Sequence, residues 1–347
     1  MHDSISLYHP KKVSNVNSTF FTLSNKCNAI SSGTLVGISE MIGFSATILP
    51  FYKLPPIRAA LLSMGLVMFA CHITMGLCNI VVVVFGVSIS IIFLSKLFLT
   101  IAYGYAARCN ELSSLYLLCG TGLSHFVGSF SYSSLTQIGL TRNNVFLLFA
   151  VLPIFMMIWA YLGFKDFPKE NSEYLLDKEQ KSAFSIYKMC FFKVFFYNQI
   201  GCAIEFFVSY ALFELSTVNS DFLKPAEQIR WFITLYQFGL IFVRFAYLLI
   251  AKYIYRFLWI FFLASCAILI VFLTQASFHI INNVLLLFVL AALHGIVVGS
   301  VEPLAAYYIY NDVKVGRSTA MMLIVFTVTS SQFIGGISGS VFHYMLC

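Results

Sequence analysis

Charge is what this sequence has least of. Asp, Glu, Lys and Arg together make up 10% of its 347 residues, where a soluble domain carries about a quarter. A chain this poor in ionisable groups cannot clothe a globular surface in water, so a soluble fold is excluded. Proline is sparse as well, at 8 residues, which leaves long stretches without a helix breaker. Catalytic signatures are missing: there is no G-x-S-x-G, H-E-x-x-H, P-loop or Rossmann glycine pattern. The chain is therefore not expected to be an enzyme. The nine cysteines are scattered, mostly within apolar runs, with no paired or metal-ligand spacing. They read as small buried hydrophobes, and no metal or cofactor is expected. The net charge of +7 comes without a basic patch interleaved with aromatics in a soluble segment, so no nucleic-acid partner is expected. Residues 1–26 lack an apolar core ahead of a small-residue site, so no cleavable signal peptide is expected.

What the chain has instead is apolar length. Hydrophobic residues make up 60% of it, with 37 Phe and 19 Tyr. Crossing a bilayer core takes roughly 20 apolar residues in a helix. Ten stretches approach that length: 33–51, 59–77, 80–100, 112–134, 144–164, 191–215, 231–251, 257–275, 284–302 and 319–342. The fold class expected is an all-α membrane protein, a polytopic bundle of about ten transmembrane helices in two halves, with the lipid bilayer as its solvent. The polar stretch 165–190 divides the ten segments five and five. The expected organisation is an N-terminal tail over 1–32, a five-helix half over 33–164, a linker over 165–190 and a second five-helix half over 191–347.

The linker carries five lysines, which suggests the cytosolic side. Alternation then puts twelve Lys and Arg on that side, Lys53, Arg58, Lys252 and Arg256 among them, and six on the other, Lys224 and Arg230 among them. Both termini fall in the lumen or outside. The one N-x-Ser/Thr sequon, at Asn17, lies on the glycosylation-competent side in this orientation. In the linker, Glu170 and Glu173 precede Leu175 and Leu176. That pattern is a candidate acidic dileucine sorting signal for trafficking adaptors, with a chance match as its rival.

The ionisable residues inside the apolar runs carry the functional signal, because charge at membrane depth faces a bundle interior or a water-filled pathway. Glu205 is the clearest, roughly 15 Å from the nearer end of its span by helix rise. Glu40, Arg244 and His294 also fall within spans. An imidazole such as His294 suits a proton relay in an acidic compartment, although a hydrogen-bonded packing role is the commoner fate. Arg244 is a candidate partner of Glu205, since their helices adjoin in sequence. Lys96 and Glu302 fall near segment ends and are expected to snorkel to the interface. Gly120, Gly122 and Gly128, and Gly335, Gly336, Gly339 and Ser340, are read as close helix-packing contacts.

Several strings, in order, carry a resemblance. Gly120-Thr121-Gly122 is followed by Gly128, Ser131-Tyr132 and Leu135-Thr136-Gln137-Ile138-Gly139-Leu140. Beyond the linker come Glu205-Phe206-Phe207, Leu212-Phe213-Glu214-Leu215 and Gln228-Ile229-Arg230-Trp231. Leu235-Tyr236-Gln237, Gly239, Arg244 and the final Phe342 to Cys347 complete the series. Together they resemble the battenin family of lysosomal membrane proteins, those linked to juvenile neuronal ceroid lipofuscinosis, from about Cys27 onward. The resemblance implies a major-facilitator-like bundle in the lysosomal or late endosomal membrane. It also implies roles in lysosomal pH balance and in efflux of basic amino acids or glycerophosphodiesters. By matching position it marks Glu205, Gln237 and Arg244 as candidate pathway residues. Cys27-Asn28 lines up with the loop after the family's first transmembrane helix, so ten spans are expected rather than eleven.

Two functions follow as expectations. The first is a transporter working by alternating access between the halves, moving a small-molecule substrate, with protons as the candidate coupling ion. The second is a non-transporting membrane scaffold or trafficking regulator that acts through the 165–190 linker.

Overall fold

The computed structural model describes residues 41–43, 45, 47, 56–107, 109, 111–163, 183–221, 223–314 and 316–346. Helix dominates these residues and no strand occurs among them. Eleven helices can be followed: α1 Ile57–Leu77, α2 Val81–Ala106, α3 Glu111–Gln137, α4 Arg142–Phe149, α5 Val151–Gly163, α6 Ala183–Leu215, α7 Pro225–Ile254, α8 Leu258–Phe278, α9 Val284–Gly299, α10 Val301–Asp312 and α11 Arg317–Leu346. Seven helical segments among the described residues are long and apolar enough to cross a membrane, and one of them, Pro225–Phe278, contains both α7 and α8. The chain is thus an all-α polytopic membrane protein. The expected first span, 33–51, lies almost wholly outside the described residues.

The helices form because their sequences offer no alternative inside hydrocarbon. Every backbone N–H and C=O must be satisfied within the segment, which leaves the helix as the spanning form for such runs. Hydroxyl groups follow the same rule locally. Thr100 donates to the Lys96 carbonyl at 2.8 Å and Thr329 to the Val325 carbonyl at 2.8 Å, so these side chains are satisfied one turn back along their own helices. Large apolar side chains point outward: Phe242 is 60% exposed and Leu249 75%. In a membrane that exposure is contact with acyl chains.

Two helix boundaries differ markedly from the sequence expectation. The helix expected from 191 begins at Ala183, so the last eight residues assigned to the linker belong to α6. That helix also carries two π segments, Phe191–Phe195 and Val208–Leu212. The helix expected to stop at 302 continues to Asp312. Pro303 lacks an amide proton and its ring crowds the preceding turn, so the run breaks into α9 and α10 at Gly299–Ser300 rather than ending.

Glycines set the tightest contacts. A Cβ on Gly239 of α7 would land on the carbonyl oxygen of Ala292 in α9, and one on Gly295 would land on the carbonyl oxygen of Tyr236. The two backbones touch through both glycines at once. Gly335 of α11 plays the same part against α6, where an added Cβ would sit 2.7 Å from the Ala203 carbonyl oxygen. The expectation for α3 needs correction. Gly120 and Gly128 face open space, and only Gly122 is packed, with its missing Cβ 3.1 Å from Cδ of Arg244. The expected halves meet along α3 with α7 and along α2 with α11.

Gly295→Ala should destabilise the protein by about 1–3 kcal/mol, the range for overpacking a tight contact. Gly128→Ala should be neutral or stabilising by up to about 1 kcal/mol, because it gains helix propensity without a clash. Denaturant unfolding in detergent micelles measures both, and equal effects would contradict the backbone contact.

Candidate functional site

Arg244 sits on α7 and is 6% exposed. Its guanidinium donates through Nη2 to Glu302 Oε2 of α10 at 2.7 Å. Through Nη1 it donates to Thr121 Oγ1 at 2.7 Å and to the Leu118 carbonyl at 3.0 Å, both on α3. The other carboxylate oxygen of Glu302 accepts from the Tyr103 hydroxyl of α2 at 2.8 Å. One arginine therefore ties α7 and α10 to α2 and α3, across the expected division between the halves. Gly122 leaves room for the arginine's stem, and the Cys119 thiol donates to the Arg244 carbonyl at 3.3 Å. This corrects two expectations: Arg244 pairs with Glu302, not Glu205, and Glu302 does not snorkel. Glu302 lies inside the Val284–Asp312 segment because the run kinks at Pro303 instead of stopping.

Glu205 projects from α6 and accepts a hydrogen bond from the Tyr236 hydroxyl of α7. The Tyr236 ring lies against His294 of α9, with centroids 5.4 Å apart and planes at 34°. His294 is fully buried, with Phe213 and Phe272 edge-on to it at 6.1 Å. The Gly295 contact fixes this arrangement, since it presses α9 onto the backbone of Tyr236 itself. Ser209, one turn beyond Glu205 and inside the second π segment, is buried with no hydrogen-bond partner for its hydroxyl.

A polar seam extends the site. Lys96 of α2 donates to Gln332 of α11 inside the bundle, so the snorkelling expectation fails for it too. Asn198 donates to Thr327 at 2.8 Å and Gln199 to Ser330 at 3.3 Å, which joins α6 to α11. Along α7 and α3, Arg230 donates to Thr136 at 2.6 Å and Thr234 lies 3.1 Å from Ser133. Gln237 sits one turn on from Thr234, with its amide oxygen buried and unpartnered. Lys96, Arg244 and Glu302 all lie within electrostatic reach of Glu205. His125 of α3 also lies within electrostatic reach of Arg244 and Lys96.

Of the residues singled out by sequence, Glu205, Arg244, His294 and Gln237 all lie on helices of one bundle, with Glu205 and His294 bridged by Tyr236. Glu40, Asn17, Leu175 and Leu176 lie outside the described residues. Sequence reasoning missed Tyr103, Thr121, Tyr236 and Gln332 as partners. Their only signal was a polar group in an apolar run, which many Tyr and Thr in this chain share. The described residues hold no group of three His, Cys, Asp or Glu able to take a metal.

Arg244→Met should lower stability by about 3–5 kcal/mol, because Glu302 is left buried without its counter-charge. In a Glu302→Gln background the same change should cost at least about 1 kcal/mol less. The matching cycle with Glu205→Gln should show clearly weaker coupling. Unfolding measurements on the four proteins of each cycle decide between the two pairings.

Comparison with known proteins places these features. No protein-family model matches the chain. Battenin of Canis lupus familiaris is 26% identical to it over 204 residues, which cover 52% of this chain and 46% of battenin. The chain thus spans about half the length of the curated relative it matches. It is a multi-pass membrane protein related to battenin distantly and over part of its length.

Proposed function

We propose that the protein is a transporter-like component of the lysosomal or late endosomal membrane that supports efflux of small metabolites and lysosomal pH balance. The observation that carries this reading is the charge arrangement. Two cations and a second anion, Lys96 of α2, Arg244 of α7 and Glu302 of α10, lie within electrostatic reach of Glu205 on α6, and Arg244 and Glu302 are paired directly. Ionisable groups at membrane depth mark ion and substrate pathways. A charge cluster at the seam between two helical halves is where alternating access places its binding site.

Glu205 is the group for a cationic substrate or a proton. Its carboxylate faces a single phenol rather than a permanent cation, so it remains available to exchange partners. Arg244 is committed to Glu302 and to α3, and acts as the tie between the halves. The substrate classes considered are basic amino acids, whose cationic ends suit Glu205, or glycerophosphodiesters, whose phosphate would have to displace Glu302 from Arg244. The relationship to battenin favours the lysosomal setting. The scaffold alternative assigns these buried charges no task beyond helix association, which small residues already achieve at Gly239 and Gly295.

Efflux from isolated lysosomes preloaded with labelled arginine or glycerophosphocholine tests the proposal. Glu205→Gln, at unchanged protein level, should reduce efflux roughly ten- to hundred-fold, the equivalent of losing about 1.5–3 kcal/mol of charged hydrogen bonding. Deleting 165–182 should leave flux in reconstituted vesicles intact. Unimpaired efflux of both probes from a Glu205→Gln, Arg244→Ala double variant overturns the transport reading.

A further inference from the structure

Ser209 is a buried polar group to which the pathway described above gives no task. It is 5% exposed, and its hydroxyl has no hydrogen-bond partner. A hydroxyl within a helix can turn back to its own backbone, as at Thr100 and Thr329. Ser209 does not, and an unpaired hydroxyl in a dry interior bears the full cost of its lost hydration.

Its neighbours show which way it faces. Ser209 stands four residues from Glu205 and four from Phe213 on α6, so the three fall along one line of the helix. Tyr236 of α7 touches both ends of that line. Its hydroxyl donates to Glu205, and its ring centroid lies 6.5 Å from that of Phe213. Val208 and Leu212, which flank Ser209, pack in one apolar cluster with Tyr236 and Phe213. The Tyr236 side chain thus runs along the stretch of α6 in which Ser209 sits. His294 is not the competing acceptor. Its ring lies against that of Tyr236 with the planes at 34°, so the phenol hydroxyl, which lies in its own ring plane, does not point at either imidazole nitrogen.

We propose that Ser209 is the second acceptor of the Tyr236 hydroxyl, and that Tyr236 and Ser209 together set the affinity of Glu205 for cationic substrates. With no substrate at Glu205, the phenol donates to the acid and Ser209 goes unpaired. When an ammonium or guanidinium group takes the carboxylate, the phenol swings to Ser209, and neither hydroxyl is left without a partner. The exchange breaks one hydrogen bond to a charged acceptor and makes one to a neutral acceptor, with the new ion pair offsetting the difference. A neutral ligand brings no counter-charge, so the pair selects for cations. Tyr236 and Ser209 are positioning residues in this scheme, which rests on the transport reading above and adds to it the groups that govern affinity.

Uptake of labelled arginine and of labelled glycerophosphocholine, each of which carries a cationic group, by vesicles reconstituted with the full chain tests the pair through KM and kcat. Tyr236→Phe keeps the ring and removes the competing hydroxyl, so KM for the probe that is carried should fall roughly tenfold, with kcat changing less. Ser209→Ala removes the second acceptor, so KM should rise roughly three- to tenfold. Its unfolding temperature should stay level or rise, because the resting protein loses no hydrogen bond. In a Tyr236→Phe background the same Ser209→Ala change should leave KM where it is. Tyr187→Phe, which removes a phenol bond to Gln199 on the same helix, should leave KM unchanged. Unfolding temperatures check the fold of each variant. A KM unmoved by Tyr236→Phe or by Ser209→Ala overturns the proposal and leaves transport standing. So does a Ser209→Ala effect that persists without the phenol hydroxyl, or a Tyr187→Phe effect equal to that of Tyr236→Phe. A wild type that carries neither probe overturns the transport reading, and this proposal with it.

Discussion

A guanidinium buried in a helical bundle must be neutralised where it sits, and the surrounding structure is arranged to meet that demand at Arg244. Four groups from three other helices converge on it or on its counter-ion: the Thr121 hydroxyl, the Leu118 carbonyl, the Glu302 carboxylate and, behind Glu302, the Tyr103 hydroxyl. Each of these requires a particular rotation of its helix. Gly122 is needed so that α3 can approach the arginine's stem, and Pro303 so that α10 can carry Glu302 inside the bundle. The geometry of four helices is coupled through one side chain.

The Glu205 environment obeys a different logic. A carboxylate held by a phenol keeps its charge open to a competing cation, whereas one held by a guanidinium does not. Tyr236 is itself pinned by the backbone contact at Gly295 and by the ring of His294. The bundle therefore contains one acid paired with a guanidinium and one acid hydrogen-bonded to a phenol. The polar seam along α6 and α11, with Asn198, Gln199, Thr327 and Ser330, adds hydrogen bonds on the helix that carries Glu205.

Much of this was legible in the sequence, and the reasons for the remainder are physical. Helix existence and rough position followed from apolar length alone, so α1, α3, α8 and α11 fall within a few residues of expectation. Glu205 and Arg244 stood out because charge is so rare here. Their partners did not, because hydropathy fixes depth but not rotation about the helix axis. Arg244 and Glu205 occupy consecutive spans, yet Arg244 points toward α3 and α10. Glu302 was misjudged because a proline near an apparent helix end looks the same whether the helix stops or bends. Gly120, Gly122 and Gly128 looked equivalent as letters, yet only Gly122 lies beneath a neighbouring side chain.

The paired glycine contact between α7 and α9 has a mechanical meaning. Each backbone rests in a notch cut by the other's missing side chain, so a slide of one residue in either direction would drive a neighbour such as Leu240 or Ile296 into a carbonyl oxygen. The two helices must travel together as a single beam. Tyr236 and His294 ride on that beam, and Glu205 meets it from α6, on the stretch between that helix's two π segments.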